Sequence, residues 1–187
     1  MKDTTLLLTV AAVGAGALLL ARKSGASMAR PSGIRRWPVS TYRGTISSFG
    51  ASRTRPGGVK AYHAAADVGA FPGDRVVAID DGVVLHAVSG FSLGAGLQAV
   101  AIRHPDADYI YAELAVSVAP GATVSRGGVV GTVAQNGDGN SMLHLEAWET
   151  GKAPPGFVSW DADKTRPVGL LDVSAILSSG VWDKSSL

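Results

Sequence analysis

Residues able to hold a metal recur in this chain at informative spacing. His63 and Asp67 lie four positions apart, and on an extended segment an even separation sends both side chains to one face. His144 sits in Met142-Leu143-His144-Leu145-Glu146, where the even-numbered residues share a face and the leucines take the other. Strand pairing would bring that face onto the first pair. Two imidazoles and one carboxylate leave a fourth tetrahedral position for water, the ligand count of catalytic rather than structural zinc. Glu146 is placed to orient a ligand from behind. Spacing alone also suits hydrogen-bonded structural histidines, so the choice rests on the surrounding elements.

Those elements read as short strands. Val76-Val77-Ala78-Ile79 precedes Asp81-Gly82, Val83-Val84-Leu85 precedes Ser89-Gly90, and Leu97 to Ile102 precedes His104-Pro105-Asp106. Apolar runs closed by turn residues predict successive antiparallel strands. Val129 to Val133 and Leu143 to Trp148 continue the pattern after glycine-rich stretches at Gly121 and Gly137-Asp138-Gly139, and the tail from Val168 to Leu177 predicts a short closing helix. With 24 glycines and 9 prolines in 187 residues, the composition favours tight turns over a helical bundle.

The chain has no cysteine, which excludes disulfides, thiol nucleophiles and cysteine zinc sites. Its net charge of +2 comes from scattered Lys and Arg, with no basic run or motif for nucleic acid. From Thr4 to Ala21 no residue is charged, and at about 1.5 Å per helical residue the run nearly spans a hydrocarbon core. Residues 1–23 therefore read as a single-pass membrane anchor. A cleaved signal peptide is the rival, but Asp3 offsets Lys2 and Arg22-Lys23 follows the apolar run directly. Residues 24–36 read as a basic linker and 37–187 as one domain. Arg22, Lys23, Arg30, Arg35 and Arg36 crowd the C-terminal flank of the span, an asymmetry that favours a cytoplasmic domain.

From about Trp37 to Leu171 the chain resembles the lysostaphin/LytM-type zinc peptidases that cut peptidoglycan. Trp37-Pro38-Val39 and Ile46-Ser47-Ser48-Phe49-Gly50 are similar to the family's entry, and Tyr62-His63-Ala64-Ala65-Ala66-Asp67-Val68 to its His-Gly-x-Asp-type metal segment. Gly73 to Ala78 and Asp81 to Val84 match the following hairpin. Tyr111-Ala112-Glu113-Leu114 sits where the family has Tyr-x-His-Leu, Gly121 to Gly131 resembles its glycine run, and Met142 to Glu146 sits at its His-Leu-His-Phe-Glu. The resemblance implies an all-β, compact antiparallel domain of the duplicated-hybrid-motif type, with His63, Asp67 and His144 as zinc ligands.

The resemblance also marks a departure. The two family histidines that serve the chemistry rather than the metal are replaced by Glu113 and Met142. Glu113 has three readings: a base in place of histidine, a fourth ligand that closes the site, or a solvated glutamate at a strand edge. Met142 offers no proton. The other histidines, His86 and His104, read as structural. Two functions follow: a membrane-anchored zinc endopeptidase acting on murein cross-links, or an inactive relative that binds cell wall or regulates or scaffolds a protein partner. Because a cytoplasmic domain would not meet peptidoglycan, a virion or secretion assembly is a further setting for the second.

Overall fold

The computed structural model describes residues 33–90, 97–136, 139 and 141–185. The expected anchor and most of the linker lie outside these, as do Gly137 and Asp138. Among the described residues no helix is long and apolar enough to cross a membrane.

The strands, in chain order, are β1 (Arg35–Arg36), β2 (Thr45–Ser47), β3 (Ser52–Thr54), β4 (Lys60–Tyr62), β5 (Ala66–Gly69), β6 (Arg75–Val77), β7 (Gly82–Val88), β8 (Gln98–Arg103), β9 (Asp108–Val116), β10 (Thr123–Val124), β11 (Val129–Val133), β12 (Met142–Trp148), β13 (Trp160–Asp161) and β14 (Leu170–Leu171). Helix α1 (Val173–Ser179) and β15 (Trp182–Asp183) follow. The helix forms where the tail predicted one. Asp172 caps it by accepting from Ala175 N–H at 2.9 Å, relieving one of the orphan amides of the first turn.

The main sheet is antiparallel and runs β10-β7-β8-β9-β12-β5-β2, with β11 joining β9 to β6 and β14 on β12. A three-stranded sheet, β13-β4-β3, forms a separate wall. Alternation sorts the main sheet's two faces. Val68, Val100, Ile102, Tyr109, Tyr111, Leu143 and Leu145 enter the larger core. Their chain neighbours Ala99, Ala101, Ile110 and Ala112, together with Trp148, face the other way, onto a smaller cluster. The period-2 pattern thus packs both faces, and on the second face alanines keep the floor low beside the metal-ligand candidates.

Where 24–36 reads as linker, the structure differs. Arg35 and Arg36 form β1, which pairs in parallel with β15 at the other end of the chain. Trp37 N–H donates to Asp183 O at 3.0 Å and Arg36 Nη1 to Asp183 Oδ2 at 2.8 Å. Trp37 packs edge-on against Trp182, with ring centroids 5.5 Å apart. The folded part therefore begins before Trp37, because β1 and β15 satisfy each other's backbone and the indoles of Trp37 and Trp182 pack together.

Candidate metal centre

His63 follows β4, and Asp67 lies within β5. The two do not share one extended strand, as the even spacing suggested, because a bend at Ala65 separates them. Buried Ala64 and Ala65 make the bend possible: small side chains let the backbone press into the core. Asp67 pairs directly with His144 across β5 and β12, and directly opposed residues of an antiparallel pair point to one face. Three side chains from distant segments thus converge.

His144 Nδ1 lies 2.9 Å from Asp67 Oδ1. His63 Nε2 lies 3.1 Å from the same oxygen and 3.4 Å from His144 Nδ1. Each histidine spends its other nitrogen on an acceptor. His63 Nδ1–H donates to the Ser48 carbonyl at 3.1 Å, and His144 Nε2–H to Glu146 Oε1 at 3.2 Å. Glu146 is itself held by Trp148 Nε1–H at 2.7 Å through its second oxygen. Glu146 thus stands between His144 and Trp148, which lies two residues further on the same face.

With the outer nitrogens so engaged, two imidazole lone pairs and a carboxylate oxygen face one another. Such an arrangement is repulsive unless a cation lies between them. Tetrahedral zinc, with bonds of about 2.0–2.1 Å, separates its ligand atoms by roughly 3.3–3.4 Å. The three observed separations fall at or just below that value, so the residues fit a divalent metal. Among the described residues this is the one grouping of three or more metal-capable side chains whose ligand atoms lie within 4.8 Å of each other.

In the metal-free chain a proton takes the cation's part. Burial disfavours charge on His144, but hydrogen bonds to Asp67 and Glu146 outweigh it and push its pKa up to about 9. Burial likewise opposes ionisation of Asp67, yet hydrogen bonds from His144 and His63 hold its carboxyl well below the usual carboxylate range. Arg53, which the sequence reading missed, donates from Nη2 to Asp67 Oδ2 at 2.6 Å. It occupies the oxygen that faces away from the histidines and leaves Oδ1 for the centre.

Glu113 lies on the wall of the same groove, a cavity of about 280 Å³. Only 3% of it is exposed, so the solvated-edge reading is corrected. Its backbone explains its direction. The β8–β9 register slips between Gln98/Leu114 and Ala99/Ala112, leaving Glu113 as the extra residue of a bulge, with φ of 66°. Bulges re-aim side chains. Ala112 faces the smaller cluster and Leu114 the larger core, and the bulge lets Glu113 join Ala112 on its side of the sheet, where it lines the groove. A non-glycine residue in this left-handed region costs about 1–2 kcal/mol, and such strain concentrates at functional sites. Ala134 N–H secures the bulge by donating to Glu113 O at 3.0 Å. Glu113 does not belong to the three-residue metal grouping. Met142, on the same face of β12 as His144, lines the groove and is 7% exposed.

His86 and His104 are structural. His86 Nε2 meets Pro154 O at 3.1 Å. His104 is fully buried, with Nδ1–H donating to Asp81 O at 3.0 Å and Nε2 accepting from Tyr111 O–H at 2.9 Å.

Comparison with known proteins follows the same lines. The model of peptidase family M23 matches residues 61–154, about half of the chain and the span that holds His63, Asp67, Glu113, Met142, His144 and Glu146. The chain belongs to peptidase family M23. A zinc-containing peptidase from Vibrio cholerae superposes with a TM-score of 0.54 at 24% identity, covering 73% of this chain and 41% of its own. Lysostaphin from Staphylococcus simulans, an antimicrobial peptidase, gives 0.57 at 18% identity, covering 76% and 52%. The catalytic domain of lysostaphin alone gives 0.52 at 20% identity, covering 74% and 93%. The chain thus spans about half or less of the first two neighbouring chains and nearly all of the lysostaphin catalytic domain. Curated protein sequences give no significant match.

Proposed function

We propose that the chain is a zinc-binding, peptidoglycan-directed domain that hydrolyses peptide cross-links, with His63, Asp67 and His144 holding the metal and Glu113 managing the proton. The observation that carries this reading is the convergence of three Lewis-basic atoms on a groove whose wall also presents a buried carboxylate. Bound zinc would supply Lewis acidity, polarising an amide carbonyl and acidifying water. The rest falls to the chain. Glu146 keeps His144 Nδ1 turned inward, and Ser48 does the same for His63 Nε2. Glu113, turned into the groove by its bulge, accepts the proton of the attacking water and returns it to the departing amine. Asn136 Nδ2 lies 3.5 Å from Glu113 Oε2 and steadies the carboxylate.

Met142 favours a second reading. It stands on the ligand face where the resemblance implies a histidine, and its thioether has no proton to give. A domain so altered would hold metal and bind cell wall, or regulate or scaffold a partner, without cutting. In either case the uncharged run from Thr4 to Ala21 supports membrane attachment through residues 1–23, and protease protection in intact cells or particles tests which side the domain occupies.

Zinc-loaded full chain incubated with purified peptidoglycan separates the two. Release of soluble peptide fragments, absent in His144→Ala, is the result expected. Retention on the wall without release would establish the second reading in its place.

A further inference from the structure

The groove carries positive charge on its β3 wall, only part of which is spent on Asp67. In Ser52-Arg53-Thr54-Arg55, alternation places both arginines on one side of β3 and its continuation, and both line the groove beside His63 and Asp67. Among the described residues Arg53 makes a single hydrogen bond, from Nη2 to Asp67 Oδ2, and 41% of its side chain is exposed. A guanidinium has five N–H donors, so four remain. Arg55 is anchored from behind. Its Nη1 meets Ser159 Oγ and, at 3.2 Å, Asp161 Oδ1, and its guanidinium carbon lies 5.2 Å from the centre of the Phe157 ring. Nε and Nη2 take no part in those bonds. Lys164 Nζ also pairs with Asp161, at 2.6 Å, so this acid is shared between two cations.

The groove is therefore polarised, with carboxylates at the metal centre and bulge and guanidiniums on the β3 wall. An uncharged backbone such as oligoglycine would leave the arginines' remaining donors to water. A carboxylate held within reach of the metal-bound segment would accept two parallel N–H bonds, the geometry in which guanidinium recognition is strongest.

We propose that Arg53 and Arg55 form a carboxylate-recognition subsite, selecting peptides with a free carboxylate next to the bond presented to the centre. Arg55 binds substrate alone. Arg53 binds it while also positioning Asp67. The proposal rests on the peptidoglycan-directed reading and narrows it to acidic peptides.

The test uses zinc-loaded full chain and two dye-labelled, alanine-rich pentapeptides that differ only in a central glutamate or glutamine. The glutamate peptide should bind about tenfold more tightly, and raised salt should erode the difference. Arg55→Gln should abolish the preference while zinc content stays at the wild-type value. Arg53→Gln should abolish it too and also weaken zinc binding. Should Arg55→Gln fail to fold, the wild-type preference, its salt dependence and Arg53→Gln still decide the matter. Equal binding of the two peptides by wild type overturns the subsite. Retention on whole peptidoglycan, measured in parallel, tells the two failures apart: retained chain without peptide preference loses only the arginine subsite, whereas a chain that ignores both loses the wall-directed reading as well.

Discussion

Asp67 and His144 stand directly opposite each other across β5 and β12, with Oδ1 and Nδ1 2.9 Å apart. A cross-strand pair of this kind leaves little freedom, because the register of two central strands would have to slip to separate it. The site is thus built into the sheet, and the consequences can be measured.

Glu146 is the first test of that construction. It receives His144 Nε2–H on one oxygen and Trp148 Nε1–H on the other. In Glu146→Gln one donor must face an amide N–H₂ instead of an oxygen. Zinc affinity should fall by about 10–100-fold, the usual cost of losing such a partner, with the circular dichroism spectrum unchanged. Zinc titration against a fluorescent chelator reads the affinity.

Proton competition sets the pH dependence of metal binding. With the metal-free His144 pKa at about 9, zinc must displace one proton at neutral pH. Its affinity should rise roughly tenfold per pH unit, levelling off near pH 9. Asp67, held well below the usual carboxylate range, is ionised throughout and adds no slope. Isothermal titration in buffers of different ionisation enthalpy counts the proton released.

Stability of the metal-free chain should peak near the intrinsic histidine pKa, about 6.5. His144 has its pKa raised by folding, so its contribution is complete below that value and is lost as pH climbs through about 9. His104 has the opposite sign. Burial is the largest influence on it and lowers its pKa, so its contribution is present above the intrinsic value and is lost as the buried imidazole is forced to protonate in acid. Thermal melts from pH 5 to 10 should trace a dome whose alkaline limb disappears in excess zinc.

Glu113→Gln separates chemistry from metal. If Glu113 is the base, the substitution should cut peptide release by about 10²–10⁴ with zinc content at the wild-type level. Met142→His, which restores an imidazole on the face of His144, should raise the rate. Fragment release quantified by chromatography checks both, and an unchanged rate in Glu113→Gln would remove Glu113 from the mechanism.

Gly131 tests how tightly the sheet beneath the bulge is packed. A Cβ there would lie 2.5 Å from Ala115 O and 3.2 Å from Val116 Cα. Both are backbone atoms of the neighbouring strand, so neither can swing aside. Gly131→Ala should lower stability by about 1–3 kcal/mol, seen as a lower urea midpoint.

Much of this architecture is written locally. The alternating runs at Val83, Leu97, Val129 and Leu143 mark real strands, because a half-buried strand needs only its own period-2 pattern to declare its faces. That pattern also identifies His144, Glu146 and Met142 as neighbours on one face. The even spacing of His63 and Asp67 points to the right pair for an incomplete reason, since the bend at Ala65 rather than one straight strand brings them together.

Three features escape any local reading. The pairing of Arg36 with Asp183 joins residues 147 positions apart through two-residue strands too short to carry a period. Arg53 reaches Asp67 from a different sheet. Glu113 is the clearest case, for alternation alone would set it opposite Ala112 and send its carboxylate into the core. The amino-acid order thus determined which side chains were available to grip a cation and which strands would carry them. Tertiary pairing decided that they meet, and a single extra residue in β9 decided that a carboxylate faces them, because a bulge arises from the register between strands and not from the residues of one strand.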